Sequence, residues 1–209
     1  MVSLSSRRSL ALAAVAACFA VLPSDAASQE VGVKAGINST SLTPLEDEDP
    51  DTSRRIGPIA GLWVRLPTGN PFSFQIEGLY SEKGVKYHVL GIDSEVSLRY
   101  IEIPLLARGD YGAAGSPVRG FVVGGAAPAF KVSARAKATF DGQEQARDFD
   151  DEVYTFDAGL VIGGGVEFGR ALVEARYTHG LLHINTDDNG DEDRVRNRVF
   201  SVLFGVRFR

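Results

Sequence analysis

Apolar and polar residues alternate along most of the chain. One apolar register runs without a charge through the segment from Tyr154 to Phe168, while Asp157 and Glu167 fall in the other register. The end of the chain repeats the pattern, with Phe200, Val202, Phe204, Val206 and Phe208 opposite Ser201, Leu203, Gly205 and Arg207. A period of two predicts β-strands with one apolar face. Aromatic ends around an aliphatic middle are typical of strands that cross a bilayer.

Six further segments alternate less regularly: Glu30 to Ser39, Arg55 to Leu66, Phe72 to Glu82, Val96 to Arg108, Val118 to Lys131 and Ala171 to Ile184. Both registers of Val118 to Lys131 are apolar and rich in glycine, so the facing of that segment stays undecided. The predicted connections alternate between long (41–54, 83–95, 134–153, 186–197) and short (67–71, 109–117, 169–170). Short turns on one rim and long loops on the other predict an all-β fold, a closed antiparallel up-and-down transmembrane β-barrel of about eight strands.

The N-terminal residues have the features of an export signal peptide. Arg7 and Arg8 precede an apolar run from Leu10 to Leu22, and small residues follow it, so we expect cleavage after Ala26 or Ser28. The predicted division is a signal peptide at 1–26 and a barrel domain at 27–209. Cys18, the only cysteine, lies in this segment, and the lipobox-like Val15 to Cys18 leaves lipidation as an alternative.

Charge narrows the classes of partner. Without residues 1–26 the chain has 20 basic and 26 acidic residues, a net charge of −6, which argues against nucleic acid as a partner. Three of the predicted long loops hold 16 of those 26 acids. The expected partners are therefore outer-membrane lipid, divalent cations at the acidic loops and an unidentified protein, and we expect a monomer in the bacterial outer membrane.

Several charges fall instead in the inward registers of predicted strands. An eight-stranded barrel has an interior just wide enough for side chains to fill, so opposite charges there are expected to neutralise one another and plug the lumen. The predicted charge network consists of Arg65, Glu77, Glu102, Asp157, Glu167, Glu174 and Arg176.

The sequence contains no recognisable catalytic, cofactor-binding or metal site, and no cofactor is predicted. Asp187, Asn189, Asp191 and Asp193 alternate as oxygen ligands do, but the glycine and the late glutamate of a calcium loop are missing, so only weak cation contact is expected. His179 and His183 lie about 13 Å apart along one strand, too far to share a metal.

Two other functions stay open as alternatives. A lipid-modifying barrel enzyme would need a set such as Glu174, His179 and Ser201, although nothing in their spacing singles them out. A soluble periplasmic lipocalin-like barrel is suggested by Gly61-Leu62-Trp63, although a lipocalin carries this motif on its first strand and not its second.

Several motifs together resemble those of the PorT-type outer-membrane β-barrel family. They are Val33 to Asn38, Leu98 to Leu105, Gly159 to Gly165, Arg176 to Leu181 and Asn197 to Phe200. The resemblance spans nearly all of the predicted barrel domain and implies a fold similar to small barrels such as OmpX. The founding member serves a protein-secretion apparatus, a role that does not follow from a fold-level match. We expect the protein to have a structural role or to bind partners, and we do not expect it to be an enzyme.

Overall fold

A computed structural model describes residues 29–43, 52–69, 71–89, 92–112, 116–140, 143–148, 155–182 and 196–208. Ten strands are formed by these residues: β1 (Glu30–Thr43), β2 (Thr52–Gly69), β3 (Phe72–Val89), β4 (Ile92–Glu102), β5 (Leu105–Tyr111), β6 (Val118–Phe140), β7 (Gln143–Asp148), β8 (Phe156–Phe168), β9 (Ala171–Gly180) and β10 (Arg196–Arg207). In the described part of the chain, no helix is long and apolar enough to cross a membrane.

The strands close into an antiparallel barrel. The ring runs β1, β2, β3, then β4 with β5, then β6, β8, β9 and β10, and β10 returns to pair with β1 from Thr43 to Gly32. β4 and β5 together form one barrel strand, since both pair with β3 and β6. The interruption falls at Pro104, which has no N–H to donate to a neighbouring strand. Apart from β7, which pairs only with β6, eight barrel strands result, as predicted.

Side chains alternate between the lumen and the outer surface. Lys34 and Asn38 of β1 are buried while Ile37 is exposed, and Leu203 of β10 is buried while Phe204 is exposed. The exposed residues form an apolar belt that includes Ile56, Phe74, Leu105, Val122, Leu160, Ile162, Val166 and Val206. A belt of this kind matches the hydrocarbon of a bilayer, which is the surrounding that the alternation predicted.

The segment of undecided facing, now part of β6, points Phe121, Val123, Ala127 and Ala129 into the lumen. Phe121 and Val123 pack there with Trp63 and Leu106. Glycine allows this close packing: a Cβ on Gly165 would lie 2.0 Å from the carbonyl oxygen of Val173 and 2.7 Å from the Phe121 ring. The run from Gly163 to Gly165 thus serves packing in a narrow barrel.

All four predicted long loops are wrong in part, because strands extend into each of them, and furthest into 83–95 and 134–153. β3 and β4 pair as far as Val89 and Ile92, and β6 continues to Phe140, where β7 pairs with its last six residues. β9, by contrast, ends at Gly180, four residues earlier than predicted. The short turns on the opposite rim are retained, so long and short connections still lie at opposite ends of the barrel.

Candidate functional site: the charged lumen

The lumen holds all seven charged residues that the inward registers predicted. Arg65, Glu77, Glu102, Asp157, Glu167, Glu174 and Arg176 are each buried in the barrel. They take part in three groups at different heights, two of which are linked by Gln75, whose amide donates to Glu77 Oε1 at 2.5 Å and accepts from Arg108 Nη1 at 3.4 Å. We name these the middle, inner and outer clusters, the inner one lying towards the short turns.

The middle cluster consists of Lys34, Glu77, Glu174 and Arg176. The Lys34 Nζ donates to Glu77 Oε1 at 2.8 Å and to Glu174 Oε2 at 2.7 Å. The Arg176 guanidinium donates to Glu77 Oε2 at 2.9 Å and to Glu174 Oε1 at 2.5 Å. The side chains of Lys34, Glu77 and Glu174 have no exposed surface, and two positive charges face two negative ones. The group is therefore compact, dry and neutral.

The inner cluster consists of Arg65, Arg108, Asp110 and Glu167. Arg108 Nη2 contacts Asp110 Oδ1 at 2.7 Å and Glu167 Oε1 at 2.6 Å, and its guanidinium carbon lies 3.8 Å from the centroid of the Phe121 ring. Arg65 Nη1 lies 3.3 Å from the same Asp110 oxygen and 3.6 Å from Glu167. The cation–π contact and the paired carboxylates together hold Arg108 in a fixed position across the lumen.

The outer cluster consists of Lys83, Tyr100, Glu102, Asp157 and Asn197, all buried. Lys83 Nζ lies 2.8 Å from Glu102 Oε1 and 5.0 Å from the centroid of the Tyr100 ring. On the neighbouring wall, the Asn197 amide donates to Asp157 Oδ2 at 2.8 Å, and the Ala158 N–H donates to Asp157 Oδ1 at the same distance. Two acids and one lysine share this space.

Sequence reasoning missed several members of these clusters. Lys34 and Arg108 lie in the predicted strand segments Glu30 to Ser39 and Val96 to Arg108 but are absent from the predicted network, and Lys83 and Asp110 fall in the predicted connections 83–95 and 109–117. Strand parity alone identifies Lys34 and Arg108, because each lies an even number of residues from another inward side chain. Lys83 required the correct end of β3, which the alternation does not mark.

The cost of burying an unpaired charge favours ion pairs across the lumen. A buried charge without a partner is strongly unfavourable, and breaking a buried ion pair typically costs about 3–5 kcal/mol. The strands β3 and β9, which carry Glu77 and Arg176, are not neighbours in the sheet, so their contact spans the barrel interior. The middle cluster thus connects opposite walls and occupies the lumen between them.

Two other sets of candidate residues remain, the predicted cation ligands and the predicted hydrolase set. Asp187, Asn189, Asp191 and Asp193 lie outside the described residues, and the sites that the structure does describe include no group of three or more His, Cys, Asp or Glu side chains placed to hold a metal ion.

The three residues that the alternative of a lipid-modifying enzyme would need, Glu174, His179 and Ser201, are not brought together in the structure. Glu174 is buried in the middle cluster, and the Ser201 hydroxyl donates to Asn38 Oδ1 at 2.7 Å. His179 falls in the opposite register of β9 from Glu174, with its ring centroid 6.4 Å from that of Tyr177. Residues an odd number apart point to opposite faces of a strand, which keeps the imidazole away from the lumen.

A closed antiparallel barrel with an apolar outer belt and a charged lumen defines the class of the protein, a β-barrel that crosses a membrane through its strands. Residues 24–185 match the family model of the outer membrane protein beta-barrel domain, and the chain belongs to this family. It is an outer-membrane protein of bacteria. The soluble periplasmic barrel is therefore wrong, and Trp63 of the Gly-x-Trp motif lies buried in the lumen.

Solved structures with a similar course of the chain include three outer-membrane proteins. Ail, the attachment invasion locus protein of Yersinia pestis, is 16% identical, with a TM-score of 0.44 over 86% of this chain and 98% of that one. Neisserial surface protein A is 17% identical, with a TM-score of 0.46 over 86% and 97%. OprG from Pseudomonas aeruginosa is 13% identical, with a TM-score of 0.44 over 86% and 96%. No curated protein sequence matches the chain.

Proposed function

We propose that the barrel is closed to solutes and that its role is structural or one of interaction at the cell surface, and not transport or catalysis. The observation that carries this proposal is the middle cluster, in which four charged side chains cross the lumen at hydrogen-bond distances of 2.5–2.9 Å. A hydrated ion passing this level would have to break pairs that are fully buried.

Conductance measurements test the closed lumen. The wild-type protein in a planar bilayer should give no ohmic steps. A variant with alanine at all four positions of the middle cluster should conduct, because the side chains that fill the lumen at this height are removed. Arg119→Ala is the matched control, since this side chain lies at the inner rim with 41% exposure and its loss leaves the middle cluster intact. Stable steps from the wild-type protein would contradict a plugged lumen.

The variants need a check on folding that does not depend on conductance. Folded outer-membrane barrels usually migrate faster than the boiled chain on a gel, so heat-modifiability reports closure of the barrel. If the fourfold variant folds by this criterion and still passes no ions, another part of the lumen blocks it, and the middle cluster is not the plug.

An interaction role draws its support from the segments beyond the membrane. The hairpins β3–β4 and β6–β7 continue past the part of the barrel where β6 pairs with β8. The connections on this side also hold most of the acidic residues of the chain. Acidic surfaces bind divalent cations and basic protein partners. Divalent cations and an unidentified protein are among the partners that the sequence predicts.

Cross-linking in cells tests this role. A photoreactive residue at Gln145 in β7 should give discrete adducts, whereas one at Thr68, at the opposite end of the barrel, should not. Changing Asp187, Asp191 and Asp193 to asparagine should weaken those adducts if the acids bind the partner. Equal adducts from both sites, or adducts that persist in the asparagine variant, would argue against an interaction through the acidic segments.

Membership of the PorT-type subgroup is also a proposal. Its support is the order of short motifs along the strands, from Val33 to Asn38 through to Asn197 to Phe200. In the structure, several of these motifs include residues that face inwards, and Lys34, Glu102 and Arg176 are three such residues that are buried. Packing in a narrow lumen accounts for residues of this kind, so the motifs carry no role in secretion with them.

A further inference from the structure

Arg99 lies on the lipid-facing surface of the barrel, at the end of the apolar belt that is nearer the long connections. It pairs with Glu82 of β3, and the next lipid-facing pair towards the midplane is Tyr80 with Ile101. Tyr80 is 37% exposed, and the Arg99 side chain is 35% exposed. Aromatic residues at the edge of an apolar belt mark the boundary between membrane and water, so Arg99 lies at the depth of the lipid head groups.

Glu82 holds Arg99 in a defined position. Its Oε1 accepts hydrogen bonds from Arg99 Nε at 2.8 Å and from the Tyr80 hydroxyl at 2.9 Å, and its Oε2 accepts from Arg55 Nη2 at 3.2 Å. Two guanidinium groups around one carboxylate leave a net charge of +1. Because Arg99 uses its Nε for this bond, the edge formed by its two Nη groups points away from Glu82. Paired N–H groups on such an edge match two oxygens of a phosphate group.

A second arginine has the same relation to the aromatic residues of the belt. Arg198 of β10 pairs with His179 of β9, and the next lipid-facing pair towards the midplane is Phe200 with Tyr177, which are 47% and 39% exposed. The strands β1, β2 and β3 lie between β10 and β4, so in a ring of eight strands the two arginines are on opposite sides of the barrel. A lipid bound at one arginine therefore does not reach the other.

The other end of the belt, as far as the structure describes it, presents aromatic side chains to the lipid. Exposed by 51–66%, they are Phe72, Tyr111, Phe168 and Phe208. Arg119 and Arg207 at this end pair with Glu167 and Gly32, positions whose register faces the lumen. Lipid-facing arginines of the described strands thus lie in the leaflet on the side of the long connections. This placement fits an anionic lipid of that leaflet and gives no such site in the opposite one.

We propose that Arg99 and Arg198 each bind a phosphate group of an anionic lipid in the outer leaflet of the membrane. Basic side chains at a membrane surface attract anionic head groups, and arginine binds phosphate through paired donors. The aromatic residues next to each arginine, Tyr80 on one side and Phe200 with Tyr177 on the other, contact the apolar part of the same lipid, which favours a lipid over free phosphate. The two sites lie on the outer wall, so they go beyond the proposed closed lumen and do not depend on it.

Native mass spectrometry of the folded protein released from detergent tests the proposal by counting bound lipids. The probe is lipid A, a phosphorylated glycolipid, and the comparison is the same lipid after removal of its phosphates. The wild-type protein should retain up to two molecules of the phosphorylated form and should lose both when the phosphates are absent.

Variants assign each bound lipid to its arginine. Arg99→Gln and Arg198→Gln should each retain one lipid, and the double variant none. In Arg99→Gln the Glu82 carboxylate keeps its bonds with Arg55 and Tyr80, so no buried acid loses all its partners. Arg119→Gln is the matched control and should still retain two, since its side chain is 41% exposed but lies at the opposite end of the barrel.

Three results would overturn the proposal. They are equal retention of the two forms of the lipid, two bound lipids in the double variant, and loss of the lipid in an excess of inorganic phosphate, which would indicate a site for free phosphate. Heat-modifiability on a gel shows which variants fold. Where a glutamine variant does not fold, the lysine variant at that position keeps the charge without the paired donors and should lose part of the bound lipid, and full retention there would refute the role of the guanidinium.

Discussion

Individual charges in the lumen depend on one another. Glu77 is bonded to Lys34, Arg176 and Gln75, while Glu174 shares the first two of these donors. Removing one acid leaves two positive groups around a single carboxylate in a space without exposed surface. The stability that each residue provides is therefore a property of the group, and single substitutions overstate it.

Unfolding of Glu77→Ala measures this dependence. We expect a loss of about 3–5 kcal/mol in the free energy of unfolding, because an uncompensated charge remains buried. The double variant Lys34→Met with Glu77→Leu restores neutrality with apolar side chains and should lose less than the sum of its two single changes, Lys34→Met and Glu77→Leu. Urea titration followed by the fluorescence of Trp63, the only tryptophan and a buried one, gives the value for each of the four variants.

The rim provides a control for that experiment. Arg119 Nη2 lies 3.7 Å from Asp110 Oδ1, its side chain keeps 41% exposure, and Asp110 retains its ion pair with Arg108 when Arg119 is removed. Water screens such a contact, so Arg119→Ala should cost only about 1 kcal/mol or less. If Glu77→Ala costs no more than Arg119→Ala, or if the double variant is fully additive, the charges of the middle cluster do not act as a group.

At the scale of strands, the alternation predicted facing wherever the two faces of a strand meet different surroundings. In β1, β3, β8, β9 and β10 one face meets lipid and the other meets charged or polar lumen residues. In β6 both faces are apolar, because its inner residues pack in a hydrophobic cluster with Trp63 and Leu106. No pattern in the sequence distinguishes two apolar faces, so only the pairing with β5 and β8 resolves them.

Strand ends were predicted less well for a related reason. Beyond the membrane both faces of a hairpin can meet water, and the contrast between apolar and polar positions disappears. Backbone pairing still continues there, as between Lys86 and Glu95 or between Lys137 and Ala146. The membership of the outer cluster is predicted incompletely for this reason, because Lys83 lies in the segment that the sequence assigned to a connection.

At the scale of the whole molecule, an apolar exterior surrounds a polar interior. A closed ring of strands satisfies the backbone, and the charges of the middle and inner clusters are paired inside it. The exposed belt extends between aromatic residues near the two ends of β8, Phe156 and Phe168. Since Ile162 lies six residues from each, its side chain is expected near the bilayer midplane.

An arginine scan along β8 tests this placement. Phe156, Ile162 and Phe168 all point outwards, with 44%, 69% and 51% exposure, and so differ mainly in depth. Six residues of a strand tilted by about 40° rise roughly 15 Å, about half the thickness of the hydrocarbon layer. Ile162→Arg should therefore lose about 2–4 kcal/mol in the free energy of unfolding from lipid vesicles, and arginine at either end about 0–1 kcal/mol.

The shape of that profile distinguishes lipid from other surroundings of the belt. A maximum at Ile162 with small values at both ends requires a low-dielectric layer centred on that residue. Arginine in place of an outward residue of a water-exposed barrel would cost little at any of the three positions, so a flat profile would contradict the transmembrane placement. A maximum displaced towards Phe156 or Phe168 would keep the barrel in the membrane but move its midplane along β8, and the height of the outer cluster relative to the bilayer would move with it.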